Sequence, residues 1–143
     1  MTGTRGRRPE VAVGAVARRG DELLLVRRGR PPAVGRWSLP GGRVEWGETL
    51  AEAVERELVE ETGLRGRCGD LVGWVERLGS DHHFVILDFS VSVEPGGDPQ
   101  AGDDALEVRW VPIPDLGRLE LVDGLADFLT AHGVIPLPDG GDA

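Results

Sequence analysis

The chain has 143 residues, of which 40% are hydrophobic and 29% are charged, and this balance suits one globular domain with a single core. Its net charge of -9 argues against sequence-independent binding of DNA or RNA, because such binding needs clustered cations. The basic N-terminal stretch has no apolar run behind it, so we expect neither a signal peptide nor a membrane anchor.

The single cysteine, Cys68, cannot form a disulfide within the chain, and this indicates a reducing compartment. We therefore predict a cytoplasmic protein whose partners include no nucleic acid polymer and no membrane. A small phosphorylated ligand remains compatible with the acidity, since metal ions and a few arginines can offset it locally.

Two apolar runs of strand length, 11–16 and 23–26, are joined by Arg-Arg-Gly-Asp at 18–21 and predict a β-hairpin. The loop after them carries arginines at 27, 28 and 30. These arginines can be plain surface charges or can contact a phosphate or ribose, and the sequence favours neither interpretation. Residues 35–42 read Gly-Arg-Trp-Ser-Leu-Pro-Gly-Gly. Trp37 and Leu39 alternate as in a short strand, and the final Pro-Gly-Gly lets the backbone turn beside a ligand.

A capped helix is predicted next. Thr49 followed by Glu52 forms a capping box, and Gly63 with Leu64 resembles a Schellman close. At helical spacing one apolar stripe forms, and three carboxylates fall beside it: Glu57, Glu60 and Glu61. Trp46, just before the helix, can cover the loop or stack on a base or sugar, and we favour the first because Trp usually packs.

Acids crowded at this spacing repel one another, so folding alone does not favour them. A divalent cation would reverse the sign of that interaction, and a cluster with only oxygen ligands suits Mg²⁺, Mn²⁺ or Ca²⁺. Arg56 lies four residues from both Glu52 and Glu60 and can hold one acid in place.

Beyond the helix, 71–77 predicts a strand, and Asp81-His82-His83 marks the start of a second strand, which alternates apolar residues with Asp88, Ser90 and Ser92. The polar stretch 94–104 reads as a mobile flap. Residues 106–111 predict a last strand, and 121–131 an amphipathic helix on the sheet. We predict one domain over 1–143, ordered from about residue 10 to 133, with flexible tails.

The spacing of the helix residues resembles the Nudix box at every defined position, from Gly42 and Glu48 through Arg56-Glu57-Leu58 and Glu60-Glu61 to Gly63-Leu64. This resemblance to Nudix hydrolases implies an α/β fold, an α/β/α sandwich with a mixed central β-sheet. It also implies Mg²⁺ or Mn²⁺ as cofactor. Glu57, Glu60 and Glu61 become metal ligands, with Glu48 and Gly41 added to the set, and Arg56 orients them.

The resemblance further implies cleavage of a diphosphate bond in a nucleoside diphosphate derivative. For the general base, Glu57, Glu61, Asp103 and Asp104 stay open. Our first expectation is hydrolysis of ADP-ribose; the second is a MutT-like enzyme for normal or oxidised nucleoside triphosphates, and a remote third is a non-catalytic nucleotide sensor. A homodimer stays open. The predicted substrate-binding residues are Arg28, Arg36, Trp37, Leu39, Pro40, Gly41, Gly42 and Trp46.

Overall fold

A computed structural model describes residues 7–102 and 104–137 of the chain. Within that part the chain forms a seven-stranded sheet, two α-helices and a short 3-10 helix at Ile113–Arg118. The strands are β1 Glu10–Arg19, β2 Glu22–Arg28, β3 Trp37–Ser38, β4 Gly41–Arg43, β5 Gly66–Leu78, β6 His83–Val93 and β7 Ala105–Pro112, and the helices are α1 Leu50–Thr62 and α2 Leu125–Ala131. None of the helices in these residues is long and apolar enough to cross a bilayer.

Strand β1 is the centre of the sheet. It runs parallel to β6, from the Glu10–Phe84 pair to the Ala17–Val91 pair, and antiparallel to β2 and β4. The remaining strands extend the sheet on both sides, in the order β3-β2-β1-β6-β5, with β7 on β2. One parallel pair among antiparallel ones makes the sheet mixed, as predicted.

The core is divided between the two faces of this sheet. Alternate residues of β1 point to opposite faces, so Val13 and Ala15 pack against α1 while Val16 packs against α2. Helix α1 contributes Val54 and Leu58 to its side of the core. A helix on each face of a mixed sheet is the α/β/α sandwich that the sequence predicted.

Several boundaries differ from the prediction. Strand β1 continues through Arg18 and Arg19, so the hairpin turn is shorter and uses Gly20 with φ 60°. Strand β5 begins five residues before the predicted start at 71. Helix α2 begins at Leu125 because its N-cap, Gly124, has φ 82°, a left-handed conformation that a helix cannot include.

The loop after β6 was expected to be a mobile flap, and the structure ties its second half to the end of α1. The Gln100 N–H donates to the Thr62 carbonyl at 2.8 Å, and the Gly102 N–H donates to the Glu61 carbonyl at 3.1 Å. A Cβ at Gly102 would overlap the carbonyl oxygen of Glu60. This part of the loop is therefore packed on the helix that carries the acids.

Candidate functional site

Helix α1 begins and ends as its sequence predicts. The Glu52 N–H donates to the Thr49 hydroxyl at 3.1 Å, and the Glu52 carboxylate accepts from the Thr49 N–H at 2.8 Å, which completes the capping box. Gly63 closes the helix with φ 72°. The ending differs from a full Schellman motif, since the Leu64 N–H donates to the Thr62 hydroxyl at 3.1 Å. These two ends fix which side chains face β4.

Arg56 collects the acids around the helix. Its guanidinium donates to Glu48, to Glu57 at 3.1 Å and to Glu60 at 3.0 Å, and also to the Arg43 carbonyl at 3.0 Å. The predicted contact with Glu52 does not form, because the capping box holds that carboxylate. Arg56 therefore organises three acids instead of one.

These contacts change the proton affinity of Glu48. Hydrogen bonds from the Arg56 side chain, followed by the Glu45 backbone N–H, lower the pKa of Glu48 to about 2. The hydrogen bond that Arg56 donates to Glu48 raises the pKa of Arg56 above its ordinary value. Both groups are charged throughout the neutral range, so Arg56 acts here as a permanent cation.

The two remaining acids press against the glycines of β4. A Cβ at Gly42 would overlap the Glu57 carboxylate, so only glycine leaves room for that side chain. The Gly41 N–H donates to Glu61 Oε1 at 2.7 Å. Burial raises the pKa of Glu57, although Arg56 opposes the shift. Burial likewise raises the pKa of Glu61, to about 7, against the opposing effect of the Gly41 N–H.

The donor set fits a divalent cation. Glu57 and Glu61 are desolvated, and the nearby positive charge does not fully offset the effect of burial on their pKa values. An added cation would lower both pKa values. All candidate ligands are oxygens, which suits Mg²⁺ and Mn²⁺. Among residues 7–102 and 104–137, however, no three His, Cys, Asp or Glu side chains already converge in a metal-binding arrangement. Arg56 and the Gly41 N–H hold the carboxylate oxygens in this state.

Two basic side chains, Arg28 at the end of β2 and Arg30 in the loop that follows, lie beside this cluster with one acid. Arg28 lowers the pKa of Glu61 and Asp104 raises it, both as contributions smaller than burial, so both charges are near Glu61. Arg30 donates to the Asp104 carboxylate at 2.8 Å. Asp103, the other predicted base, lies outside the described residues. Of the two candidate bases Asp103 and Asp104, the structure describes only Asp104, which pairs with Arg30.

The other predicted substrate-binding residues are scattered. Arg36 donates to the Asp123 carboxylate at 2.8 Å on the surface. Trp37 and Pro40 are buried, and Leu39 packs against the α2 side of the core, so the two rings have no free surface for a ligand. Trp46 is 102% exposed, so our expectation that it covers the loop is wrong. Its contact with substrate stays a prediction.

Sequence reasoning missed one acid near this site. Asp88 on β6 is only 5% exposed, on the face of the sheet opposite α1. The alternation of the strand placed Asp88 with Ser90 and Ser92 on its polar side and gave it no role. The available signal was Gly14, because a strand glycine often marks a close approach by another group.

Comparisons with known proteins agree with this geometry. A sequence model described as the NUDIX domain matches residues 8–131. An ADP-ribose pyrophosphatase from Methanocaldococcus jannaschii is 39% identical over 113 residues, which cover 78% of this chain and 66% of that protein. This chain therefore spans about two thirds of that relative's length.

Two further proteins support the same assignment. A putative 8-oxo-dGTP diphosphatase 2 from Mycobacterium tuberculosis is 38% identical over 131 residues, covering 76% of this chain and 87% of that protein. The crystal structure of a MutT protein from Methanosarcina mazei Go1 has a TM-score of 0.78 and 30% identity, and covers 90% of this chain and 96% of that one. The predicted fold class and family are confirmed, and the chain belongs to the Nudix hydrolase family.

Proposed function

We propose that this chain hydrolyses the diphosphate bond of a nucleoside diphosphate derivative, with ADP-ribose as the first candidate and AMP and ribose 5-phosphate as products. The observation that carries the proposal is the pair of desolvated carboxylates, Glu57 and Glu61, pressed against Gly42 and Gly41. The likeness to a relative named ADP-ribose pyrophosphatase, at 39% identity, favours this substrate. A cytoplasmic location is part of the proposal and rests on the lone thiol of Cys68.

Nudix hydrolases generally need divalent metal ions, and we propose Mg²⁺ or Mn²⁺ here. Glu57, Glu60 and Glu61 would hold the metal, with Glu48 and the backbone of Gly41 completing the set. When bound, such an ion neutralises diphosphate oxygens and lowers the pKa of an attacking water. The chain's own contribution is to supply these oxygens already ordered by Arg56 and the Gly41 N–H.

The remaining residues have distinct tasks in this proposal. The two glycines of β4 carry no side chain between the diphosphate and the backbone, so the ligand can approach closely. Arg28, beside Glu61, offsets charge on the phosphates. The general base is Glu57, Glu61, Asp104 or Asp103. Glu61 is a candidate because the Gly41 N–H occupies only one of its two carboxylate oxygens.

The experiment is a product assay with the purified chain and two substrates, ADP-ribose and 8-oxo-dGTP. Each is supplied at about 1 mM, near the upper end of typical KM values, with Mg²⁺ or Mn²⁺ in excess. We expect AMP and ribose 5-phosphate from ADP-ribose, and no product after EDTA removes the metal. The Glu61→Gln variant, purified in the same way, measures contaminating activity. Absence of turnover for ADP-ribose and for 8-oxo-dGTP with either metal would contradict the proposal.

A second candidate function is removal of pyrophosphate from a normal or oxidised nucleoside triphosphate. The 38% identity to a putative 8-oxo-dGTP diphosphatase favours it, and the acids of α1 serve either reaction equally. The same assay separates the two, because this activity releases free pyrophosphate from 8-oxo-dGTP. The candidate with the larger kcat/KM is the one to retain.

A further inference from the structure

A groove lies at the end of the sheet that is far from the proposed diphosphate site. It has a volume of about 470 Å³ and separates β6 from the segment that follows α2. Gly14 pairs with Gly41 of the diphosphate site, whereas Arg18, which lines the groove, is four residues further along β1. Four residues of a strand span about 13 Å, so the groove and the diphosphate site are separate. We call this feature the Arg18 groove.

The floor of the Arg18 groove is apolar. Val16 of β1 and Val72 of β5 line it and belong to the α2 side of the core. Val134, in the segment after α2, forms one wall. Sites for small molecules in proteins measure about 300–1,000 Å³, so this groove has room for an organic group.

Hydroxyl groups and cations line the other side of the groove. Ser90 pairs with Val16, and Arg18 and Ser92 lie two residues further along the same parallel strands. On its other side, Ser92 pairs with Arg67 of β5. Paired residues share a face of the sheet, so Ser92 lies between the two arginines on that face. Ser92 and both arginines are exposed and can therefore reach a ligand.

Neither arginine is neutralised by the part of the chain that the structure describes. Arg18 donates to the carbonyl groups of Val134 at 3.0 Å and Gly20 at 3.3 Å, which leave its charge unpaired. The ion pairs formed among residues 7–102 and 104–137 include neither Arg18 nor Arg67, and Glu94, the acid that follows β6, pairs with neither. In a chain with a net charge of -9, these two cations form a local site for an anion.

We propose that the Arg18 groove is a second ligand site, which binds a phosphomonoester. Its phosphoryl group contacts Arg18, Ser92 and Arg67, and its organic group covers Val16 and Val72. A phosphoryl group has three acceptor oxygens and a charge near -2, so it can accept from two arginines and a hydroxyl together, whereas a carboxylate offers two oxygens and one charge. The inference is independent of the proposed function, because none of these residues belongs to the diphosphate site.

Phenyl phosphate is the probe for the test, because its phosphoryl group and its ring match the two sides of the groove. Binding is measured from backbone amide NMR signals of the isotope-labelled full chain, with EDTA present. We expect saturable shifts at Ser90, Ser92 and Val134, at lower concentrations than for inorganic phosphate, which has no organic group. Shifts restricted to Gly41 and Gly42, or no shifts at all, would overturn the inference. Equal affinity for inorganic phosphate and phenyl phosphate would also contradict it.

Two variants test the residues that bind the phosphoryl group. Arg67→Gln removes one charge and Ser92→Ala removes the hydroxyl, and both side chains are exposed, so the fold should tolerate the changes. We expect the dissociation constant of phenyl phosphate to rise about tenfold in Arg67→Gln and about fivefold in Ser92→Ala, the sizes typical of a charged and a neutral hydrogen bond.

Arg118→Gln is the matched control, because it makes the same change at an exposed arginine on the 3-10 helix. We expect it to keep the dissociation constant of the wild type. Wild-type affinity in both Arg67→Gln and Ser92→Ala would overturn the inference. An equal loss of affinity in Arg67→Gln and Arg118→Gln would overturn it as well, since the overall charge of the chain would then explain the binding.

Discussion

Glu61, which is half-buried, and Asp88, which is buried, are two desolvated acids on opposite faces of the sheet, and their surroundings differ. Burial raises the pKa of both, to about 7 and about 6. Glu61 accepts the Gly41 N–H and lies near Arg28, inside a cluster organised by Arg56. Asp88 has only the charge of Arg77, which lowers its pKa, to oppose the effect of burial. The folded state thus carries two desolvated carboxylates that cost stability, and in the proposed function the cost at Glu61 is offset when a cation binds.

The largest effect is expected when Glu61, the first acid in this comparison, is replaced. Glu61→Gln should lower kcat by roughly 100- to 10,000-fold, because a metal ligand worth several kcal/mol in the transition state is lost. Glutamine keeps an oxygen for the Gly41 N–H, so the unfolding temperature should not fall. Steady-state rates with Mg²⁺ and thermal unfolding measure the two quantities, and Glu60→Gln should behave similarly.

Glu52→Gln is the matched control for that experiment. It makes the same chemical change on the same helix, and glutamine can still complete the capping box. We expect its rate to stay within about twofold of the wild type, since surface changes rarely exceed 0.5 kcal/mol. Wild-type rates in both Glu60→Gln and Glu61→Gln would contradict the proposal that these residues bind the metal.

The pH dependence of stability tests Asp88, the second acid in this comparison. The pKa of Asp88 is raised from 3.8 to about 6, so the folded state binds this proton more tightly than the unfolded state does. Stability therefore falls as pH rises through this window, and the full cost, about 3 kcal/mol, is present above pH 6. Asp88→Asn should remove the part of the fall that Asp88 causes and gain stability above pH 6, whereas the part caused by Glu57 and Glu61 remains. Urea unfolding from pH 4 to 8 measures it.

In that series, Asp70→Asn should follow the wild type in parallel across the whole pH range. A wild type and an Asp88→Asn variant with parallel curves would mean that Asp88 titrates normally. Its side chain would then be solvated or paired in solution, and the contrast with Glu61 would be lost.

A smaller effect is expected when the guanidinium that organises the acids is replaced. Arg56→Lys keeps one positive charge but cannot donate to three carboxylates and the Arg43 carbonyl together. We expect kcat/KM to fall about 10- to 100-fold and the Mn²⁺ concentration for half-maximal rate to rise, as for other residues that orient metal ligands. Arg109→Lys, on an exposed pair with Glu107, serves as control. An unchanged metal requirement would contradict the role of Arg56.

The smallest effect tests the space reserved for Glu57. In Gly42→Ala the new methyl group displaces the Glu57 carboxylate, which is the end of a flexible side chain and can move at low cost. We expect about a tenfold loss of kcat with little change in unfolding temperature, since misplacing a reacting group mainly affects rate. In Gly117→Ala the Cβ meets nothing within 4 Å, so this variant should match the wild type in both assays.

The sequence predicted the acidic helix well because its signals are local. Thr49, Glu52 and Gly63 act within one turn of the helix, and the spacing of the acids sets which face they share. The partners of Arg56 were predicted less well. Helical spacing favoured Glu52 and Glu60, whereas Glu48 reaches Arg56 through the turn before the helix. The path of that turn depends on tertiary packing, which helical spacing does not predict.

Asp88 was unpredictable for a related reason. An alternating strand indicates which residues share a face, but not which face is covered. Asp88 looked like Ser90 and Ser92, although Ser90 and Ser92 are exposed and Asp88 is buried. Only the pairing of β6 with β1 brings Gly14 beside it. The end of the loop at 100–102 was also missed, since its bonds to α1 are made by backbone groups that leave no pattern in the sequence.

The central position of β1 has a consequence for how the chain folds. Its parallel partner, β6, follows about seventy residues later, as the Glu10–Phe84 pair illustrates. Closing such a long loop costs entropy before any contact repays it, so assembly of the sheet should be slow compared with a helical protein of equal size. During synthesis on a ribosome, the first hairpin would have to wait, with its apolar strands unprotected, until β6 has emerged.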